Sequence, residues 1–326
     1  MMETENRALA AEEAESCANT ISAIVDNIET VVIGKRPVVE LVVTALICGG
    51  HVLIEDVPGV GKTSLVSALA RTISCPSKRI QFTPDIMPSD VTGFSVYNQK
   101  TGEFEFRPGA VMSSIILADE INRASAKTQA SLLEAMEEKQ VTVDSRTYRL
   151  EEPFMVLATQ NPIDSFGTYP LPEAQIDRFL MKLSLGYPLP EEEIRVAFEV
   201  KKARSELKPV TDGKRVLALR ESAERVYVSR ELAGYIVSIV NATRTHPDVL
   251  LGSSPRGTIA LVNACRAYAL YRGRGYVLPE DVKYLAPHIL AHRLLLNHEA
   301  KIARRSEKDV IASVLDSVAV PIGRSR

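Results

Sequence analysis

The chain has 326 residues, 45% of them hydrophobic and 25% charged, with 39 basic against 41 acidic side chains and a formal net charge of −2. That length suits about two domains and that composition an ordinary folded protein. The near-neutral balance gives no global electrostatic reason to expect nucleic acid or an anionic membrane surface as a partner.

Along the chain, Met1 to Arg7 is acidic rather than basic and runs into an Ala/Glu-rich segment instead of an apolar signal core. Ala14, Cys17, Ala18, Ile21, Val25 and Ile28 recur at helical spacing and predict an amphipathic leading helix. Val38 to Ile47 predicts a second. It lies in the longest apolar stretch, Pro37 to Cys48, which Glu40 and Thr44 interrupt and which is too short to span a bilayer. No membrane insertion and a cytoplasmic location are expected. Cys17, Cys48, Cys75 and Cys265 have no metal-ligand or redox-pair spacing and read as reduced, mostly buried small hydrophobes.

The run Val52-Leu53-Ile54 reads as a strand feeding Asp56-Val57-Pro58-Gly59-Val60-Gly61-Lys62-Thr63, a phosphate-binding loop, and Ser64 to Ala70 reads as the helix after it. Consecutive backbone N–H groups can converge on phosphate oxygens where glycines remove the Cβ obstruction and a helix presents its positive end. Gly59 and Gly61 supply that backbone, within a cradle running from Val57 and Pro58 through Val60 to Ser64. Lys62 is the expected charge on the β- and γ-phosphates and the Thr63 hydroxyl an expected Mg²⁺ ligand. The general pattern has Gly at position 56, where this chain has Asp56, and an ordinary glycine-rich turn is the alternative.

Arg79 to Phe82 reads as the next strand, with Pro84 to Ser89 punctuating its exit. Phe94–Tyr97 and Glu103–Phe106 flank a Lys100-Thr101-Gly102 turn and predict a hairpin; Val141–Val143 and Thr147–Leu150 flank Asp144-Ser145 and predict another. Between them, Ile115 to Ala118 is too continuously apolar for a half-exposed strand and reads as a buried parallel one. It ends in Asp119-Glu120: Asp119 is expected in the Mg²⁺ shell, and Glu120 as the base that orients and deprotonates water. A third such strand, Phe154 to Ala158, ends in Thr159-Gln160-Asn161-Pro162, and Asn161 is the candidate amide reporting on the γ-phosphate. Alone, it would be an ordinary turn residue before proline. Neither an Asn-Lys-x-Asp guanine reader nor a Leu-Ser-Gly-Gly-Gln transporter signature occurs, so ATP is the expected nucleotide.

Strands alternating with helices argue for an α/β fold with a parallel sheet and ligands at the strands' C-terminal ends. After Tyr187-Pro188-Leu189-Pro190 the pattern turns helical, and Glu191-Glu192-Glu193 suits a helix start. The expected boundary therefore divides 1–190, an ATPase core with its N-terminal helix, from 191–326, an all-α lid. Ser229 to Arg244, Pro255 to Tyr271 and Pro279 to Leu296 read as lid helices. His288 and His292 share an i, i+4 face of the last one, without a third ligand for a metal. Lys301 to Arg305 reads as a solvated basic helix face.

Four motifs in order, Glu55 to Thr63, Asp119-Glu-Ile-Asn-Arg-Ala124, Ala158-Thr-Gln-Asn-Pro162 and Pro172-Glu-Ala-Gln-Ile-Asp-Arg-Phe179, resemble the MoxR family of AAA+ ATPases. The resemblance runs from about Ile33 to Ser253-Ser-Pro-Arg256, and Asp56 is a familiar variant within it. It implies a P-loop NTPase core with hairpin insertions and a helical lid, with Ile33 and Gly34 beside the nucleotide. It further implies Arg178 as an arginine finger reaching a neighbouring subunit and Arg256 as the lid's sensor arginine, roles that suit a permanent charge on a planar fork. For both, a surface ion pair is the alternative. Arg123 either faces a neighbour or caps the following helix. The hairpins are implied to face a ring's channel, with Tyr97, Lys100, Phe104 and Arg146 as candidate working residues or as plain surface.

The function implied is that of a Mg²⁺-dependent ATPase forming a homo-oligomeric ring, with a hexamer as the expected size. It would act as a chaperone-like maturation factor beside a protein with a von Willebrand factor A domain, its client unnamed by any residue. A nucleic-acid motor of the same branch, a magnesium-chelatase-like motor subunit and a non-hydrolytic ATP-binding scaffold switch are the alternatives.

Overall fold

The computed structural model describes residues 9–162 and 168–321. Packing divides the chain into an α/β unit, Ala23–Phe179 with Leu183–Leu217, and a helical unit made of the described residues up to Ser22, Leu180–Lys182 and Ala218 onward. The change in sequence character at residue 190 falls inside the first of these.

Helix α1 (Ala11–Glu29) buries Ala14, Cys17, Ile21, Ile24, Val25 and Ile28, the stripe that its spacing predicts. Helix α2 (Arg36–Ile47) starts with Pro37 in its first turn, where a missing N–H costs nothing. Strand β1 (Val52–Glu55) then runs into the glycine loop and α3 (Lys62–Thr72). Next come β2 (Ser77–Gln81), a short α4 (Pro88–Thr92) and a hairpin of β3 (Gly93–Asn98) and β4 (Glu103–Pro108). Strand β5 (Ile115–Asp119) leads to α5 (Ala126–Glu138), followed by a second hairpin, β6 (Gln140–Val143) and β7 (Arg146–Arg149). The turn of that hairpin holds Asp144 and Ser145 both at positive φ, the geometry that two-residue hairpins favour. Strand β8 (Met155–Gln160), a short α6 (Glu173–Ile176) and α7 (Pro190–Glu206) follow.

Within this unit four strands of the sheet run in the order β2-β5-β8-β1. All three of their pairings are parallel: Gln81 opposes Asp119, Ala118 opposes Ala158 and Glu55 opposes Gln160. This register lines up the C-terminal ends of β2, β5, β8 and β1. One side of the sheet packs on a core that includes Leu53, Phe82, Ile116, Leu133, Phe154, Val156 and Phe179. His51 is buried there: Val156 N–H donates to Nδ1, so Nε2 carries the proton and faces the Met136 carbonyl.

The helical unit is built from α8 (Gly213–Glu224), which enters it at Ala218, then α9 (Arg230–Thr245), α10 (Pro255–Tyr271), α11 (Pro279–Leu290), α12 (His298–Ile302) and α13 (Glu307–Ser317). Ser229 and Ser254 cap α9 and α10 through their hydroxyls. Helix α11 stops at Leu290, six residues before the expected Leu296. A 3₁₀ turn, Ala291–Arg293, and a strand, Leu295–Leu296, paired with Val249–Leu251 take over. His292 thus lies in the 3₁₀ turn and does not share a helix face with His288. His288 instead packs edge-on against Tyr284, and burial pushes its pKa down. None of the four cysteines is in a disulfide; Cys17 and Cys265 are buried and the other two half-buried. Among the described residues no helix is long and apolar enough to cross a membrane.

One ion pair holds the start of α11. Arg274 grips Asp281 with both guanidinium arms, at 2.9 and 2.7 Å, while Leu278 N–H donates to the same carboxylate at 2.8 Å. Asp281 is only 3% exposed, so its removal would strand a desolvated guanidinium. Asp281→Ala is expected to cost about 3 kcal/mol, measured as a lowered urea midpoint, whereas Glu280→Ala one residue earlier should leave the midpoint almost unchanged.

Candidate nucleotide site

Four strand ends and one helix start supply the site. Gly59 (φ +89°) and Gly61 (φ +96°) adopt the left-handed backbone that turns the loop from β1 into α3, and the space beside each is open. Their requirement is therefore conformational rather than steric. Lys62 folds back on the loop, its Nζ donating to the carbonyls of Asp56 at 3.0 Å and Val57 at 3.3 Å.

The ends of β5 and β8 are joined by one hydroxyl. Thr159 Oγ1, fully buried, donates to Asp119 Oδ1 at 2.6 Å and accepts from Glu120 N–H at 2.9 Å. Glu120 sits at φ +57°, a left-handed conformation for a non-glycine residue, which bends the chain directly after the strand. Its carboxylate takes a 2.9 Å hydrogen bond from Gln81 Nε2 and lies 3.1 Å from Arg123 Nε. Asp119 lies 2.6 Å from Arg79, whose guanidinium also donates to Gln81. Arg79 and Gln81 are two apart on β2 and so share one face of the strand.

These groups line one cavity of about 350 Å³, bounded by Pro58, Gly59, Gly61, Lys62, Thr63, Ser64, Arg79, Gln81, Asp119 and Glu120. A hydroxyl and a carboxylate, Thr63 and Asp119, thus face the same space, the hard oxygen donors that suit Mg²⁺. Beside it is a smaller, mainly apolar cavity of about 90 Å³. Val31, Val32, Ile33 and Lys35 line it with Val60 and, from the other side, Pro188, Val196 and Val200.

A model of the ATPase family associated with various cellular activities (AAA) matches residues 51–181, and an AAA lid domain model matches residues 241–314. The chain is 52% identical to YeaC of Bacillus subtilis, covering 92% of this chain and 95% of YeaC. It is 41% identical to the chaperone MoxR1 of Mycobacterium tuberculosis, over 93% and 83% of the two chains. A crystal structure from Cytophaga hutchinsonii, assigned as an ATPase, superposes with a TM-score of 0.90 at 41% identity, over 95% of this chain and 98% of that one.

The chain belongs to the MoxR family of AAA+ ATPases.

Within this MoxR protein, Pro58, Gly59, Gly61, Lys62, Thr63, Ser64, Asp119 and Glu120 come together at the larger cavity, and Ile33 and Val60 at the smaller one. Val57 takes part through its carbonyl. Gly34 (φ +72°) adjoins α7 so tightly that a Cβ there would overlap the Glu192 carboxyl. Asn161 directly follows β8, level with the loop, where Asp56 N–H donates to the Gln160 carbonyl. Arg178, just after α6, lies 3.0 Å from Glu137 of α5. Arg256 is exposed on the first turn of α10, in the helical unit, and Arg123 does not cap α5, since Ser125 does. Sequence reasoning missed Arg79 and Gln81, Thr159 as the group that positions Asp119, and the α7 wall of the apolar cavity.

Because the Thr159 hydroxyl joins Asp119 to the Glu120 backbone, its loss should show in turnover. A hydrogen bond to a charged group contributes about 1.5 to 3 kcal/mol, so Thr159→Val is expected to lower the phosphate-release rate about 10- to 100-fold. Thr159→Ser keeps the hydroxyl and should retain most of it.

Proposed function

We propose that this MoxR protein binds ATP with Mg²⁺ and hydrolyses it within a homo-oligomeric ring, acting as a chaperone-like remodelling factor on a protein client. The observation that carries the reading is the single cavity onto which Lys62, Thr63, Asp119 and Glu120 converge. Lys62 exchanges its two backbone carbonyls for phosphate oxygens. Thr63 and Asp119 hold the cation, which when bound neutralises charge on the phosphates. Glu120, aimed by Gln81 and Arg123 and by the bend at its own backbone, accepts the proton of the attacking water. The apolar cavity beside the loop is suited to the base, and its lining offers no guanine-reading carboxylate. Asn161 reports on the γ-phosphate.

Arg178 serves as the finger in a neighbour's site and Arg256 as the lid's sensor within its own chain, roles carried by the family motifs. Fingers of this kind contribute about 10³ to 10⁵ in rate. A partner with a von Willebrand factor A domain is expected from the same source, as is work in the cytoplasm.

The hairpins support a protein client. The first exposes Phe94, Tyr97 and Phe104, the last two in ring contact at 5.3 Å. Around them Glu103 and Glu105 offset Lys100 and Arg107, a mixture unlike the basic groove of a single-strand binder. Phe106 of this hairpin stacks on Tyr148 of the second, centroid to centroid at 4.0 Å, so the two are braced together.

Two measurements test this. Turnover per subunit is expected to rise with protein concentration in the wild type and to be lost in Arg178→Ala; a flat rate that survives the substitution would remove the shared site and the ring. Glu120→Gln is expected to bind ATP as the wild type does while hydrolysis falls about 10²- to 10⁴-fold, and undiminished function in that variant would favour the non-hydrolytic switch instead.

A further inference from the structure

Asp56 is the residue of the phosphate loop that the proposed chemistry leaves without a task. It is 7% exposed, and a buried carboxylate is tolerated only when hydrogen-bonded. Its partners all come from one stretch of chain. Ser184 Oγ donates to Oδ1 at 2.9 Å, Gly186 N–H to Oδ1 at 3.2 Å, and Leu185 N–H to Oδ2. None of the groups lining the phosphate cavity belongs to Asp56, whose side chain is occupied elsewhere; only its carbonyl meets Lys62.

The stretch that Asp56 holds continues directly into α7. Lys35 Nζ fastens it a second time, donating to the Tyr187 carbonyl at 2.8 Å, and Gly34 leaves room for Glu192 in the helix's first turn. Pro188, Val196 and Val200, beyond these fastenings, line the apolar cavity together with Val31, Val32, Ile33 and Val60. The rest of α7 is mostly exposed, Phe198 by 83%, so little burial within the unit holds that wall in place.

We infer that Asp56 is a positioning residue for base recognition: its carboxylate, at the root of the phosphate loop, pins the 184–186 segment and so sets the apolar wall against which the base rests. This rests on the reading of the two cavities as one nucleotide site. It explains why an aspartate stands where a glycine would serve the phosphates equally well. The inference separates the two halves of the ligand: Asp56 governs the base and leaves the phosphates to the loop.

The test compares Mg²⁺–ATP with Mg²⁺–tripolyphosphate, which has the same phosphate chain and no base, by calorimetric titration in a Glu120→Gln background. Asp56→Asn keeps the volume but turns an amide towards N–H donors. It is expected to weaken ATP about tenfold or more, since hydrogen bonds to a charged group are lost, while tripolyphosphate stays within about twofold. Lys62→Ala should weaken both. Ser184→Ala removes one donor from the other side of the clamp and should give a smaller shift of the same selective kind, deciding the matter if Asp56→Asn does not fold. Equal weakening of the two ligands would overturn the inference, placing Asp56 with the phosphates, and so would no weakening of either. A protein that with Asp56 and Lys62 intact binds neither ligand would remove the nucleotide reading itself, and this inference with it.

Discussion

The ends of β5 and β8 are tied together by the hydroxyl of Thr159. Parallel strands fix the distance between β5 and β8 but leave the side chains at their ends free to turn into solvent. Thr159, wholly buried on β8, donates to the Asp119 carboxylate and accepts from the Glu120 backbone, so both acids are referred to the same strand end. With Glu120 bent into the left-handed region, the two consecutive carboxylates diverge: Asp119 faces Arg79 and Glu120 faces Gln81 and Arg123. Two adjacent residues then face different partners, which is what the proposed division of work between a cation and water requires. A straight continuation of β5 would have sent them to opposite faces of the sheet.

The sheet is legible in the sequence because its inner strands are buried on both faces and therefore read as unbroken apolar runs. Val52–Ile54, Ile115–Ala118 and Phe154–Ala158 each form strands within a residue or two of their expected limits. Both hairpins are signalled by alternation and turn residues. Helix α11 is shorter than its pattern suggests because Leu294, Leu295 and Leu296 prolong the apolar run, and periodicity alone cannot distinguish a further helical turn from a 3₁₀ turn and a short strand. The glycine loop and the acidic pair are visible as motifs, since their chemistry requires fixed residue types at fixed spacing. Arg79 and Gln81 are not, although their spacing of two on a predicted strand could have flagged a polar face beside the acids. The α7 wall is hidden for a different reason. Val196 and Val200 form an i, i+4 pair in a helix whose other large apolar residues, Ile194 and Phe198, are exposed, and only the folded chain shows what the pair faces.

The charges of the site are satisfied internally before any ligand is considered. Lys62 rests on two carbonyls, Arg79 on Asp119 and Arg123 on Glu120. Desolvating an unpaired charge is expensive, so a folded chain that must hold this many in and around one cleft does best to pair them with one another. Occupancy of the site is then an exchange of partners rather than the filling of waiting positions. On the proposed reading a phosphate would attract Lys62 only by the difference between its own oxygens and the loop's carbonyls, and a cation would have to share Asp119 with Arg79 or take it. Exchange of this kind limits affinity, because every new hydrogen bond or ion pair displaces one that the free protein already makes.

That limitation assigns a physical role to the apolar cavity. Apart from Lys35, which is held by the Tyr187 carbonyl, its lining is uncharged, so on the proposed reading burying the faces of a base against Val31, Val32, Ile33, Val60, Val196 and Val200 would add favourable free energy with little exchange of partners. On that reading the phosphates would supply orientation and chemistry while the base would supply much of the net affinity. The wall provided by α7 therefore has to be held rigidly by something other than the ligand, for otherwise ordering it would offset part of the free energy of burial. The fastenings at Asp56 and Lys35 meet that need by holding the 184–187 stretch that leads into α7. One of them begins at the phosphate loop itself, so on the proposed reading the geometry of base binding would be tied to the loop that holds the phosphates.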